Sequence, residues 1–129
     1  MLRITKNIYE ANLITHSGKF HADDVFSTAF LSKIMDNPVV CRVNEINPNI
    51  NKNVIVYDVG FGKFDHHQKE FNLRYENGVK YASFGLLFKE YGLSYLKTID
   101  SRYGEDVYQM IRHDLVMSID AIDNGDFPE

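Results

Sequence analysis

The sequence predicts an α/β domain with a mostly parallel sheet flanked by helices, and three observations carry the prediction. Short apolar runs at 11–15, 39–43 and 54–57 have strand length. Segments with helical spacing alternate with them. Two of the runs end on polar residues, His16 and Asp58. The ligand-binding crevice of a parallel sheet lies beyond the carboxyl ends of its strands, so both residues fall on that side.

Each element follows in order. Ala11 to Thr15 is a strand that closes at His16, and Ser17-Gly18 is a turn. A helix begins at Ala22, with Val25, Ala29 and the Ile34/Met35 pair at helical spacing. Asp23 and Asp24 lie in its first turn, where negative charge suits the helix dipole. Asn37-Pro38 ends it. Val39 to Val43 is the next strand, and Asn44 to Asn53 is a loop. Val54 to Tyr57 is nearly continuous in apolar character, the form of a strand buried on both faces. Asp58 ends it, and a loop opened by Gly60 and Gly62 carries Asp65, His66 and His67. Leu73 to Val79 is a hairpin or an irregular excursion, with Asn77-Gly78 as its turn signal. Ala82 to Tyr91 is helical, with Gly92 as its stop. A longer helix runs from Gly104 to about Asp123, with Val107, Ile111 and Leu115 on one side.

A chain of 129 residues, 44% hydrophobic and 25% charged, suits one folded domain with its own core. No apolar run approaches the ~20 residues of a membrane helix, and residues 1–12 lack the stretch of a signal peptide. A cytoplasmic protein with no membrane partner is the expectation. The single Cys41 excludes an intrachain disulfide and reads as a small buried hydrophobe. The net charge of −4 argues against a broad basic grip on nucleic acid. Bound divalent cations would offset that charge.

Four of the five histidines lie in two short segments, Thr15–Asp24 and Tyr57–His67, together with Asp23, Asp24, Asp58 and Asp65. Mixed His and carboxylate ligands suit manganese, iron or zinc. A carboxylate that bridges two cations about 3.5–4 Å apart is the core of two-metal phosphatases and nucleases. Asp58, at a strand end between the two segments, is the natural bridge. Lys19 and Lys63 flank the segments as candidate phosphate contacts, although a solvated surface lysine is the commoner use of each. Phe61, Phe64, Phe71, Tyr75 and Tyr81 suit core packing better than base stacking. His113, beside Asp114 in mid-helix, reads as an ordinary surface or packing residue.

The motifs Thr15-His16-Ser17-Gly18-x-Phe20-His21-x-Asp23-Asp24, Tyr57-Asp58-Val59-Gly60, Phe64-Asp65-His66-His67-Gln68-Lys69-Glu70-Phe71, Tyr81-Ala82-Ser83-x-Gly85-Leu86-Leu87 and Ile119-Asp120-Ala121-Ile122-Asp123-Asn124-Gly125 resemble, in order, those of the Myg-type family. That family is a branch of the DHH phosphoesterases. The resemblance implies a DHH-type N-terminal domain with two divalent metal ions, manganese first and magnesium or zinc as alternatives. It implies His16 and His21 as ligands of one ion, Asp23 of the other, and Asp58 as the bridge. His66 would bind metal, and His67 would face the scissile phosphate. Asp123, or Asp120 one turn earlier, corresponds to the last carboxylate ligand. They lie three apart on a predicted helix and share a face, so the sequence leaves both open. Asp65 would orient a histidine from behind the ligands. His21 stands where other DHH enzymes carry an Asp.

The expected activity is metal-dependent hydrolysis of phosphodiester bonds, with a 3′-5′ exoribonuclease or oligonucleotide hydrolase as the leading form and RNA or an oligonucleotide as substrate. A nucleotide or pyrophosphate phosphoesterase, and a catalytically idle metal-binding or interaction fragment, are the alternatives. Residues 1–129 read as one domain that stops at the last metal motif, without the family's cap domain. Self-association or a separate cap-domain partner is therefore expected.

Overall fold

A computed structural model describes residues 1–45, 53–59, 62–66 and 72–125. Its sheet has four strands, β1 (Arg3–Ile4), β2 (Leu13–His16), β3 (Val39–Val43) and β4 (Ile55–Val56), in the order β1-β3-β2-β4. Every pairing is parallel, with Leu13 opposite both Val40 and Ile55. The α/β class and the parallel sheet expected from the sequence are both present.

Helix α1 (Ala22–Ile34) crosses from β2 to β3, and α2 (Ser83–Ile99) packs beside it. The last helical stretch comprises α3 (Glu105–Ile111), a π-helical turn (Arg112–Val116) and α4 (Met117–Asn124). The main core joins Leu13 and Val40 of the sheet and Tyr57, just beyond β4, to Leu31 of α1, Leu87 of α2, and Met117 and Ala121 of α4. Ile14 and Cys41 are buried on the opposite sheet face, in line with the reading of Cys41 as a small hydrophobe.

Several elements differ from their sequence expectation. Strand β1 was not anticipated: two residues with alternating polarity carry no periodic signal, and pairing with β3 alone makes them a strand. Ile55 and Val56 are half-buried because β4, among the described strands, pairs with β2 alone and sits at the sheet edge. Gly92 does not stop α2. The helix continues to Ile99 because Leu96 is buried and Tyr95 meets the Phe30 ring edge-on at 5.7 Å, which outweighs the ~1 kcal/mol helix cost of glycine. The long final helix is interrupted by the π turn, which shifts the register by one residue ahead of Asp120.

The largest difference is the face of α1. Val25 is 48% exposed and Ala29 is exposed, whereas Asp23, Asp24, Ser27 and Leu31 are buried. The helix turns its first carboxylates inward, and its apolar contribution comes from Leu31 and from Phe26 and Phe30, which meet the aromatic rings of α2. The segment around Asn77-Gly78 resolves as a hairpin turn: the Tyr75 amide donates to the Val79 carbonyl and the Gly78 amide to that of Tyr75, at 2.8 and 2.9 Å. Gly78 takes φ +91°, which suits a residue without a Cβ.

Candidate metal centre

The carboxyl ends of β2 and β4 and the first turn of α1 converge on one point. His16 is the last residue of β2. Its Nδ1 lies 2.9 Å from the Ser17 carbonyl, which can only accept, so Nδ1 carries a proton and Nε2 faces the site. Nε2 is 3.0 Å from Asp24 Oδ2 and 3.0 Å from Asp58 Oδ2. Ligand atoms about 3 Å apart match neighbouring positions around an ion with bonds of about 2.1 Å.

Two groups of potential ligand atoms form, His16 with His21 and Asp24, and Asp23 with Asp58 and His66, each within 4.8 Å. Asp58 reaches both: Oδ2 meets His16, while Oδ1 lies 3.6 Å from His66 Nδ1. Its backbone is held at φ +60° just beyond β4, with its amide donating to the Phe64 carbonyl at 2.9 Å. A left-handed aspartate is tolerated where the surroundings fix it, and such strain clusters at functional sites.

Asp23 and Asp24 divide their work by helix position. Asp24, third residue of α1, accepts the His21 amide at 2.8 Å in the manner of a capping box. Asp23 accepts the Phe84 amide through Oδ1 at 2.8 Å. Its Oδ2 is buried and has no hydrogen-bond partner among the described residues. Burial pushes the Asp23 carboxyl well above the ordinary range, and the charges of Asp58 and Asp123 add to the effect. A buried oxygen left over in a crowd of carboxylates is a position that a cation satisfies, and the His/Asp donor set suits a first-row divalent metal.

The two carboxylates of α4 part company. Asp123 Oδ2 is 2.6 Å from His66 Nε2. Asp120 lies deeper and is fully buried: Oδ2 accepts from the Tyr75 hydroxyl at 2.6 Å and Oδ1 from the Gly85 amide at 3.1 Å. Burial holds the Asp120 carboxyl up at about 7, against the lowering effect of those hydrogen bonds. Of the two residues that the sequence left open, Asp123 is the one brought to His66.

Asp65 is buried next to His66 in the chain. His67 lies outside the described residues, as do Phe61 and Phe71. Lys63 is paired with Glu90 at 2.8 Å, and Lys19 is exposed. Phe64, Tyr75 and Tyr81 are buried, as core packing requires. His113 is exposed and pairs with Asp114. Sequence reading counted Asp24 in the His/Asp cluster but assigned it to neither ion; the structure sets it 3.0 Å from His16 Nε2. The signal was present: the third position of a helix whose cap is a histidine places a carboxylate beside that cap. An open cavity of about 260 Å³ adjoins the site, lined by His21, Ala22, Asp23, Ile122 and Asp123. Among the described residues, no helix is long and apolar enough to cross a membrane.

Residues 12–127 match the model of the MYG1_exonuc family, described as an uncharacterised protein family (UPF0160). The MYG1 protein of Dictyostelium discoideum is 32% identical over 130 residues, covering 90% of this chain and 39% of that protein. The MYG1 protein of Schizosaccharomyces pombe is 33% identical over 129 residues, covering 88% and 39%. That of Saccharomyces cerevisiae is 34% identical over 128 residues, covering 88% and 37%. The chain thus spans under two fifths of these relatives. No solved structure gives a significant match.

Proposed function

This chain belongs to the MYG1_exonuc family, and on that premise we propose that it hydrolyses phosphodiester bonds with two divalent cations, manganese first. The observation that carries the reading is Asp58, whose two oxygens face the two ligand groups separately. In this reading His16 and His21 hold one ion, with Asp24 beside them. Asp23, His66 and Asp123 hold the other, and Asp58 bridges. Asp120, with both oxygens engaged, is a strut for α4 and not a ligand.

Bound there, the ions supply a hydroxide from water and neutralise charge on the phosphoryl oxygens. The chain's own residues do the rest. The Ser17 carbonyl fixes the His16 tautomer. The Phe84 amide holds one oxygen of Asp23 and leaves the other for the ion. Asp65 orients a neighbouring histidine, and His67 contacts the scissile phosphate. Lys19 is the better placed of the two lysines for a phosphate contact, since Lys63 is engaged by Glu90.

The substrate we propose is the 3′ end of RNA or a short oligonucleotide. A second reading, a nucleotide or dinucleotide phosphoesterase, draws support from the cavity of about 260 Å³, a space on the scale of one nucleotide. The burial of Phe64, Tyr75 and Tyr81 also favours it, because it removes them as a stacking track for a longer strand.

The test is manganese stoichiometry by equilibrium dialysis on the wild type and Asp58→Ala, followed by hydrolysis assays on RNA oligomers and dinucleotides. Two ions per chain, both lost in the variant, are expected, since a bridge serves two sites. Failure of manganese-supplemented protein to cleave either substrate would overturn the catalytic reading of this chain.

A further inference from the structure

The Tyr81-Ala82-Ser83-Phe84-Gly85 segment has no role in the ligand set, yet it makes up the start of α2 at the centre of the site. Ser83 is fully buried, and its Oγ lies 3.3 Å from His66 Nδ1. The Phe84 amide donates to Asp23 Oδ1 at 2.8 Å. The Gly85 amide donates to Asp120 Oδ1 at 3.1 Å, which fixes α4 one turn before Asp123. Three consecutive residues thus address the loop of His66, the start of α1 and the end of α4. The free amides of a helix N-terminus are natural carboxylate partners, and here they are filled from within the chain.

We infer that residues 83–85 act as a jig for one of the two metal positions, with Ser83 as the positioning residue for His66. The inference rests on the two-metal reading above. All three non-bridging ligands of that position, His66, Asp23 and Asp123, are tied directly or through Asp120 to this single turn. Among the described residues, no hydrogen bond of residues 83–85 runs to His16, His21 or Asp24. Ser83 Oγ lies within hydrogen-bond distance of His66 Nδ1, while Nε2 of the same ring faces Asp123 Oδ2, 2.6 Å away. A hydrogen bond to the remote nitrogen of a ligating histidine sets its tautomer and ring orientation. The turn accepts no side chain at its third residue, because a Cβ on Gly85 would overlap Asp120 Oδ2 and lie 2.5 Å from the Tyr75 hydroxyl.

The consequence is selectivity between the two positions. Losing the Ser83 hydroxyl weakens the position built on His66 and spares the one built on His16 and His21. The experiment is a calorimetric manganese titration of the wild type, Ser83→Ala and His21→Ala, with urea unfolding of the metal-free proteins alongside. The expected result for Ser83→Ala is two binding classes, one weakened about 10- to 100-fold and the other within about threefold, as for other partners behind a metal ligand. His21→Ala should weaken the opposite class. A merely structural serine would lower the urea midpoint and move both classes together, and that outcome overturns the inference. So does an unchanged titration. Fewer than two ions on the wild type overturns the two-metal reading and this one with it, whereas two ions on the wild type with an unmoved Ser83→Ala profile overturns this one alone.

Discussion

Replacing Gly85 with Ala separates tertiary constraint from helix propensity, because the two predict opposite signs. Propensity alone favours alanine in a helix by up to about 1 kcal/mol. The site opposes it. The new Cβ would overlap Asp120 Oδ2 and lie 2.9 Å from Asp120 Cγ and 2.5 Å from the Tyr75 hydroxyl, so the buried carboxylate must move. Moving it breaks or stretches the bonds from Tyr75 and from the Gly85 amide, each worth about 1.5–3 kcal/mol when the acceptor is charged. Burial that holds Asp120 near 7 leaves it partly protonated, which argues for the lower end of that range. Overpacking adds about 1–3 kcal/mol. The net expectation is a loss of about 3–5 kcal/mol, a large share of the roughly 5–15 kcal/mol that holds a domain folded. In urea unfolding with a slope of about 2 kcal/mol per molar, the midpoint should fall by about 2 M. A double-mutant cycle with Asp120→Ala should show a coupling above about 1 kcal/mol, since removing the carboxylate makes room for the methyl group. A Gly85→Ala midpoint equal to or above the wild type would refute the argument, because it would mean that propensity governs this turn.

Three further outcomes are expected. Asp123→Asn should weaken manganese binding about tenfold or more, while Asp120→Asn should leave it within about threefold and show its effect in stability instead; equal losses in a metal titration would erase the division between strut and ligand. Metal-free protein should lose stability as pH rises from about 4 to about 7. The Asp120 and Asp23 carboxyls are raised in the folded state, so the native chain binds more protons than the unfolded one across that window. One such group contributes a slope of up to about 1.4 kcal/mol per pH unit, urea midpoints across pH measure it, and saturating metal should flatten the part due to Asp23. His67→Ala should retain both ions and lose turnover, and loss of metal in that variant would move His67 into the ligand set.

Much of the site was legible in the chain because its residues come as short local motifs. His16 and Asp58 terminate apolar runs, and a parallel sheet brings such ends to one edge whatever the details of packing. Asp24 was assigned to neither ion for a local reason. A carboxylate at the third position of a helix has an ordinary use as a dipole partner, and only the approach of His16 from the neighbouring strand gives it another. Asp120 and Asp123 could not be told apart by spacing, since both project from one face of α4. Tyr75, from a hairpin 45 positions earlier, claims Asp120 and leaves Asp123 to His66. The inward turn of Asp23 was equally hidden, because hydrophobic periodicity in α1 pointed to Val25 and Ala29 as the buried side.

The sequence by itself determined the fold class, the order of most elements and the residue types that gather at the carboxyl edge, because strand ends, caps and turn residues are set by local chemistry. Tertiary structure decided which oxygen of which carboxylate remains for a cation. That choice depends on donors supplied from distant segments, the Phe84 and Gly85 amides and the Tyr75 hydroxyl, and no local pattern encodes where those donors arrive.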